Sequence, residues 1–195
     1  GTIMNVNAEA GLTYANGFKQ RFAELDGTIA AEELYEKDAQ DLRTQATKIK
    51  AAKPDFVYFP GFAQDIGISM KQLRELGYTG QFLTTPAMED NAFFTTAGGA
   101  GEGAVYSSPL NPKWSETLEL QEKFAQEYPN QSFSWFIANG YDALKLVSEL
   151  VEKCGEETEC IKQQLYTTKN YNGASGTFSF DEKGDVSRPL VLMQV

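Results

Sequence analysis

Residues 54–62, Pro-Asp-Phe-Val-Tyr-Phe-Pro-Gly-Phe, constrain the fold of this 195-residue chain more than any other stretch. Four apolar residues, Phe56 to Phe59, lie between an amphipathic segment and a Gly that leads into a second one. A run of this kind, without alternation of apolar and polar positions, reads as a parallel strand covered on both faces. Open α/β sheets place ligands beyond the C-terminal ends of such strands. Pro60, Gly61 and Phe62 are therefore the first candidate functional residues, and their surroundings point to binding rather than catalysis.

The rest of the first half repeats this pattern. Thr2–Asn7 reads as a strand, and Phe18, Phe22 and Leu25 mark one face of a helix that Asp26-Gly27 ends. Thr28–Leu34 reads as a second strand. Leu42, Ala46 and Ile49 mark a helix stopped at Lys53-Pro54, because the residue before Pro is pushed out of helical geometry. After the Phe56–Phe59 strand, Ile66, Met70 and Leu73 mark a third helix, ended by Gly77. Gln81–Thr84 and Gly103–Tyr106 read as further strands, with a short helix over Asn91–Thr96. Strands alternating with helices over short connections predict a parallel sheet with helices on both faces. Beyond Ser107-Ser108-Pro109 the pattern changes to helices over about Trp114–Tyr128, Ser134–Lys153 and Glu157–Thr167. The long middle helix places Ile137, Tyr141, Leu144, Val147 and Val151 on its expected buried face. Two strands follow, Gly176–Phe180 and Leu190–Gln194, joined by the tight polar turn Asp181–Asp185.

Composition narrows the function classes. The formal net charge is −10, and an acidic surface argues against nucleic acid and anionic membranes. The chain has no His, which removes Ser-His and Cys-His pairs and His-based zinc sites. Its two cysteines, Cys154 and Cys160, have no metal-ligand spacing. They read either as a local disulfide, which implies an oxidising compartment outside the cytoplasm, or as two free thiols. No cofactor or metal is expected.

The assembled pattern resembles the later part of a type I periplasmic binding protein of the leucine/isoleucine/valine-binding group. The matching segments are Tyr14–Gly27, Asp55–Gly77, Gly80–Pro109, Gly140-Tyr141-Asp142-Ala143 and Gly173–Asp185, in the family's order over nearly the whole chain. The resemblance implies a doubly wound α/β fold of two lobes joined by three crossing segments, with ligand held in the cleft between them. Residues 1–108 would form most of the second lobe and 109–175 the returning helices of the first. Residues 176–195 would be strands crossing back, with Ser107–Pro109 as one hinge. It also implies that the chain is incomplete. Another copy or swapped elements are then expected over the apolar helix faces between Trp114 and Lys153.

What the resemblance implies for function is a periplasmic or extracellular protein, free or lipid-anchored in a longer parent. It would capture a small organic solute, an amino acid or an aromatic or aliphatic acid, and pass it to the membrane subunits of an ABC importer. The ligand-sensing ectodomain of a receptor is the alternative. Its site residues would fall on Ala8, Ala10 and Gly11, on Phe62, on Pro86, Ala87, Met88 and Glu89, and on Phe136. Strand-end loops supplying aromatic and backbone groups to a concave site make sense physically. Phe62 and Phe136 could equally be packing residues. Ala10 stands where leucine-binding relatives carry an aromatic side chain, which implies a wider pocket. Pro86 stands where amino-acid-binding relatives place an acid against the ligand's ammonium. Proline offers no such partner for a charge taken out of water. Glu89 or Asp90 either reaches in instead or caps the following helix. An apolar acid without an ammonium is the expected ligand. The Gly98–Gly103 stretch precedes a strand instead of opening a helix, so it reads as a plain connection.

Overall fold

The computed structural model describes residues 1–195 and divides them into two compact units, Gly1–Ser107 with Leu192–Val195, and Ser108–Val191. The first unit is a run of alternating elements: β1 (Thr2–Val6), α1 (Glu9–Glu24), β2 (Ala31–Tyr35), α2 (Arg43–Ala51), β3 (Phe56–Phe59), α3 (Ala63–Glu75), β4 (Gln81–Thr84), α4 (Asn91–Ala97) and β5 (Val105–Ser108). Short 3-10 turns occupy Pro86–Glu89 and Gly98–Gly101. The strands form a sheet in the order β2-β1-β3-β4-β5, completed at its edge by β9 (Val191–Gln194). Neighbours from β2 to β5 pair in parallel, with Ile3 opposite Tyr58 and Phe59 opposite Thr84. The chain leaves β1 for β2 on one side and returns to β3 on the other, so the strand order reverses between β1 and β3.

Alternation along β1 sorts its residues between two layers. Met4 and Val6 join Val57, Phe59 and Phe82 in a core closed by Ala46 and Ile49 of α2, Ile66, Met70 and Leu73 of α3, and Phe93 of α4. Ile3 and Tyr58 face the opposite way, toward Ala15 and Phe18 of α1. There Phe18 stacks on Tyr58 at 4.4 Å, and Phe22 meets Phe56 edge-on at 5.4 Å. Leu25, expected on that face, lies past the last turn and is 62% exposed. Full burial of a side chain such as Phe59 is worth roughly 1.5–3 kcal/mol, which is why this four-residue strand is so legible.

Helix ends follow local chemistry. At the end of α1 the Gly27 N–H bonds the Phe22 carbonyl at 2.8 Å and the Asp26 N–H bonds Ala23 at 3.0 Å. The left-handed residue there is Asp26, at φ 60°, rather than Gly27. Gly77, at φ 85°, takes that position after α3, as sequence suggests.

The second unit comprises α5 (Ser115–Glu127), α6 (Trp135–Cys154), α7 (Thr158–Thr167), β6 (Tyr171–Gly173), β7 (Gly176–Phe180) and β8 (Val186–Ser187). Its core is Leu146, Leu150 and Phe178, with Ile161, Leu165, Tyr171 and Phe180 around them. Cys154 at the end of α6 is disulfide-bonded to Cys160 in α7. Two sequence expectations change here. The Asp181–Asp185 turn leads into β8, which pairs antiparallel with β7, while the Leu190–Gln194 strand is β9 of the other sheet. Strands β6 and β8 are too short to leave a pattern. The face of α6 that packs inward carries Ala138, Asp142, Leu146 and Leu150, whereas Tyr141, Leu144, Val147 and Val151 are 46%, 71%, 43% and 40% exposed. This helix is apolar on two sides, so a periodicity reading has two solutions.

Candidate ligand-binding rim

All five parallel strands of the first unit end at one edge of the sheet, and the loops leaving them are tied together. The Val6 N–H bonds the Pro60 carbonyl at 3.3 Å, and the Asn7 N–H bonds the Tyr35 carbonyl at 2.7 Å. The Asn7 side chain donates to Glu36 at 2.8 Å, and the Thr84 hydroxyl donates to the Phe59 carbonyl at 2.8 Å. Gly11 makes this edge compact, since a Cβ there would stand 2.5 Å from the Val6 carbonyl oxygen. Two helices begin at the reversal point, α1 after Ala8 and α3 after Phe62. Both N-cap residues are extended, and neither side chain caps its helix. The leading N–H groups of the two helices therefore have no side-chain cap, and such groups favour carboxylate or carbonyl oxygens.

The nominated residues divide by exposure. Ala8 is half-buried, Ala10 exposed and Gly11 buried beneath the helix start. Phe62 is 39% exposed at the β3 exit, with the Lys37 ammonium 5.0 Å from its ring centroid. At the β4 exit Pro86 is buried, and Met88 is fully buried in the core, so its side chain serves packing. Ala87 and Glu89 are half-buried. Asp90 caps α4, accepting the Ala92 N–H at 2.8 Å, so its carboxylate is committed to the helix. The structure thus gathers Ala8, Ala10, Gly11 and Phe62 at the β1–β3 reversal, with Pro86–Glu89 one strand further along. Phe136 belongs to the second unit, in the first turn of α6. It is 52% exposed, with its ring 4.5 Å from that of Trp135.

Two rim residues escaped the sequence reading. Lys37 follows β2 and places a cation against Phe62. Tyr106 of β5 packs on the core beside β4. Burial, and secondarily the Glu89 carboxylate, push its phenol up to about 12. An aromatic within the fifth strand, opposite the last residue of β4, was the available signal for Tyr106, whereas Lys37 lies in an unpatterned acidic loop.

The chain belongs to the periplasmic binding protein family, whose model matches residues 2–195. It is 23% identical over 189 residues to the leucine-, isoleucine-, valine-, threonine- and alanine-binding protein of Pseudomonas aeruginosa, covering 94% of this chain and 49% of that protein. It is 24% identical over 166 residues to the Leu/Ile/Val-binding protein of Escherichia coli K12, covering 83% of this chain and 42% of that one. The chain thus spans about half the length of the curated relatives it matches. Among solved structures, a leucine binding protein from Thermotoga maritima superposes with a TM-score of 0.90 at 25% identity, over 100% of this chain and 57% of that one. The isoleucine complex of a branched-chain amino acid binding protein from Streptococcus pneumoniae shares the fold, with a TM-score of 0.87 at 20% identity, over 100% of this chain and 56% of that one. The fold is the α/β architecture of type I periplasmic binding proteins. The family is non-catalytic, and no three His, Cys, Asp or Glu side chains gather as a metal site. No helix is long and apolar enough to cross a membrane.

Proposed function

We propose that this chain is the solute-binding part of an ABC importer, and that it captures a small organic acid at the β1–β3 rim by closure of two lobes outside the cytoplasm. The observation that carries the reading is the reversal point itself. There, two uncapped helix starts and the half-exposed Phe62 ring face one sheet edge, in a chain of this family. The helix starts suit ligand oxygens and Phe62 suits an apolar body. The chain passes between its compact units at Ser107–Ser108 and again at Val191–Leu192, which supports Ser107–Pro109 as one hinge of the closure.

Pro86 decides the ligand class within this reading. It is buried and cannot accept a hydrogen bond from an ammonium through its side chain, and Asp90 is engaged as a helix cap. Glu89, half-buried beside Tyr106, is the remaining acid on this loop. An aromatic or aliphatic acid without an ammonium fits these residues better than an α-amino acid. The test is a thermal-shift screen of the full-length protein against amino acids and against aromatic and aliphatic acids. Ligands that bind the folded state raise its apparent stability by mass action. Stabilisation by phenylacetate or hexanoate but not by leucine supports the reading. Stabilisation by leucine alone would overturn the ligand class and make Glu89 the first residue to substitute.

A further inference from the structure

The loops that leave the parallel strands of the first unit are acidic, with one exception beside the candidate site. Between the ends of β1, β2, β3 and β4 and the helices that follow them, Lys37 is the single Lys or Arg. The acids around it are largely engaged. Glu36 accepts from the Asn7 amide at 2.8 Å, Asp41 pairs with Arg43 at 3.3 Å, and Asp90 caps α4. Lys37 is exposed and forms neither an ion pair nor a hydrogen bond. What its ammonium meets is the Phe62 ring, 5.0 Å from the centroid. Phe62 is itself the extended residue before α3, at φ −88° and ψ 157°, and no side chain caps that helix.

An unpaired cation, a half-exposed aromatic ring and an uncapped helix start thus meet at the exit of β3. An aromatic ring takes the apolar body of a small ligand, and an ammonium takes a carboxylate through charge-assisted hydrogen bonds. We propose that Lys37 is the specificity-determining residue of the rim, pairing with the carboxylate of an apolar monocarboxylic acid whose body lies on Phe62. The proposal rests on the reading of Phe62 as a ligand wall. It deepens that reading by naming the side chain that separates an acid from its neutral analogue.

Two simpler accounts give Lys37 no ligand. In the first, its stem and ammonium only cover the Phe62 ring. A cation–π contact at an exposed site is weak, so the ammonium turns to an incoming carboxylate at little cost to the fold. In the second, Lys37 is the counter-charge of Asp65, which is 1% exposed in the first turn of α3 and feels the lysine's charge. The hydrogen bonding weighs against this account, because Asp65 Oδ1 accepts the Asp38 N–H at 3.2 Å and neither carboxylate oxygen pairs with Lys37.

The experiment uses the full-length protein with Lys37→Met, which keeps the apolar stem and removes the charge, and Lys37→Arg, which keeps the charge. Phenylacetate and L-leucine are titrated by calorimetry beside their neutral-headed analogues, phenylacetamide and L-leucinamide, at low and high salt. Lys37→Met is expected to weaken phenylacetate about tenfold, the scale of one hydrogen bond to a charged group, and to leave phenylacetamide within twofold of wild type. The salt dependence of phenylacetate binding is expected to shrink in Lys37→Met, and Lys37→Arg to retain the preference for acid over amide. An equal loss on acid and amide means that the lysine acts by packing on Phe62, and it overturns the proposal. An unchanged acid-to-amide ratio does the same, and with a lowered thermal midpoint it assigns Lys37 to Asp65. If phenylacetate fails to bind while leucine is preferred over leucinamide only when Lys37 is present, the ligand class falls and the role of Lys37 stands. No binding by any of the four probes overturns both.

Discussion

At the scale of single residues, the most consequential side chain of the second unit is Asp142. It is 1% exposed and accepts the N–H groups of Ala174 and Ser175, both at 2.7 Å. The Thr117 hydroxyl donates to the Ala174 carbonyl at 2.7 Å, and Arg188 reaches Ser175 and Asn139 at 3.1 and 3.0 Å. The hairpin between β6 and β7 is thereby held from α5, α6 and the chain after β8. Its glycines follow from that hold. A Cβ on Gly173 would meet the Asp142 carboxylate at 2.3 Å, and Gly176 sits at φ 110° with Trp114 against it. Asp142→Ala leaves two buried N–H groups without their acceptor, so a loss of about 2–4 kcal/mol is expected. A denaturant midpoint within error of wild type would refute this. Asp65 gives a prediction of the opposite kind. Its carboxyl stays protonated to higher pH in the folded state than in the unfolded chain, whose reference is 3.8. Above that value the folded state binds more protons, so stability falls as pH rises through the window over which Asp65 ionises. Asp65→Asn cannot ionise and is expected to flatten that part of the profile. An equally steep fall in the variant would assign the effect elsewhere.

At the scale of elements, what was legible depended on how many neighbours each segment has. β3, in the middle of the sheet and covered on both faces, shows its full extent in four letters, and α2 and α3 show theirs in one periodic stripe. β6 and β8 carry three and two residues, so no period exists to read. α6 misleads for the reverse reason, since both of its sides are apolar and the sequence does not say which neighbour is present. The rim shows the same division. Phe62 was visible because it follows a strand that could be placed, whereas Lys37 reaches the Phe62 ring from the unpatterned loop after β2. The two elements with the clearest individual tests are α3 and α7. Phe62→Ala at the start of α3 removes a half-exposed ring, so stability is expected to hold while ligand affinity drops about tenfold or more. An unchanged affinity by calorimetry would remove Phe62 from the site. The Cys154–Cys160 bridge ties α7 to α6 across a short acidic loop. Replacing both cysteines by Ser is expected to cost about 2 kcal/mol by the loop-entropy estimate for so small a ring. Hydrogen exchange should report that loss in α7 first, and equal loosening of β1–β5 would argue against a local tie.

At the scale of the whole molecule, the two units differ in how completely they cover their own apolar surface. The first has helices on both faces of its sheet and a core in which Ile3, Met4, Phe59, Ile66 and Phe82 are all 0% exposed. The second buries a smaller cluster and leaves Phe136, Leu144, Val147 and Val151 at 52%, 71%, 43% and 40% exposure along one stripe of α6, with Leu118 of α5 at 45%. A contiguous apolar stripe of this kind on a soluble surface marks a place where something packs. The net charge of −10 opposes association at long range, so the balance between stripe and charge is set by ionic strength. The chain spanning residues 1–195 is therefore expected to self-associate through α6 at micromolar concentration, more strongly as salt screens the acidic surfaces. Leu144→Glu sits at the most exposed point of the stripe and away from the Leu146–Leu150 core, so it is expected to give a monomer with an unchanged circular dichroism spectrum. Light scattering across a concentration series at low and high salt decides the matter. A wild-type chain that stays monomeric throughout would mean that the stripe is tolerated in water, and an associated Leu144→Glu variant would move the contact to another face.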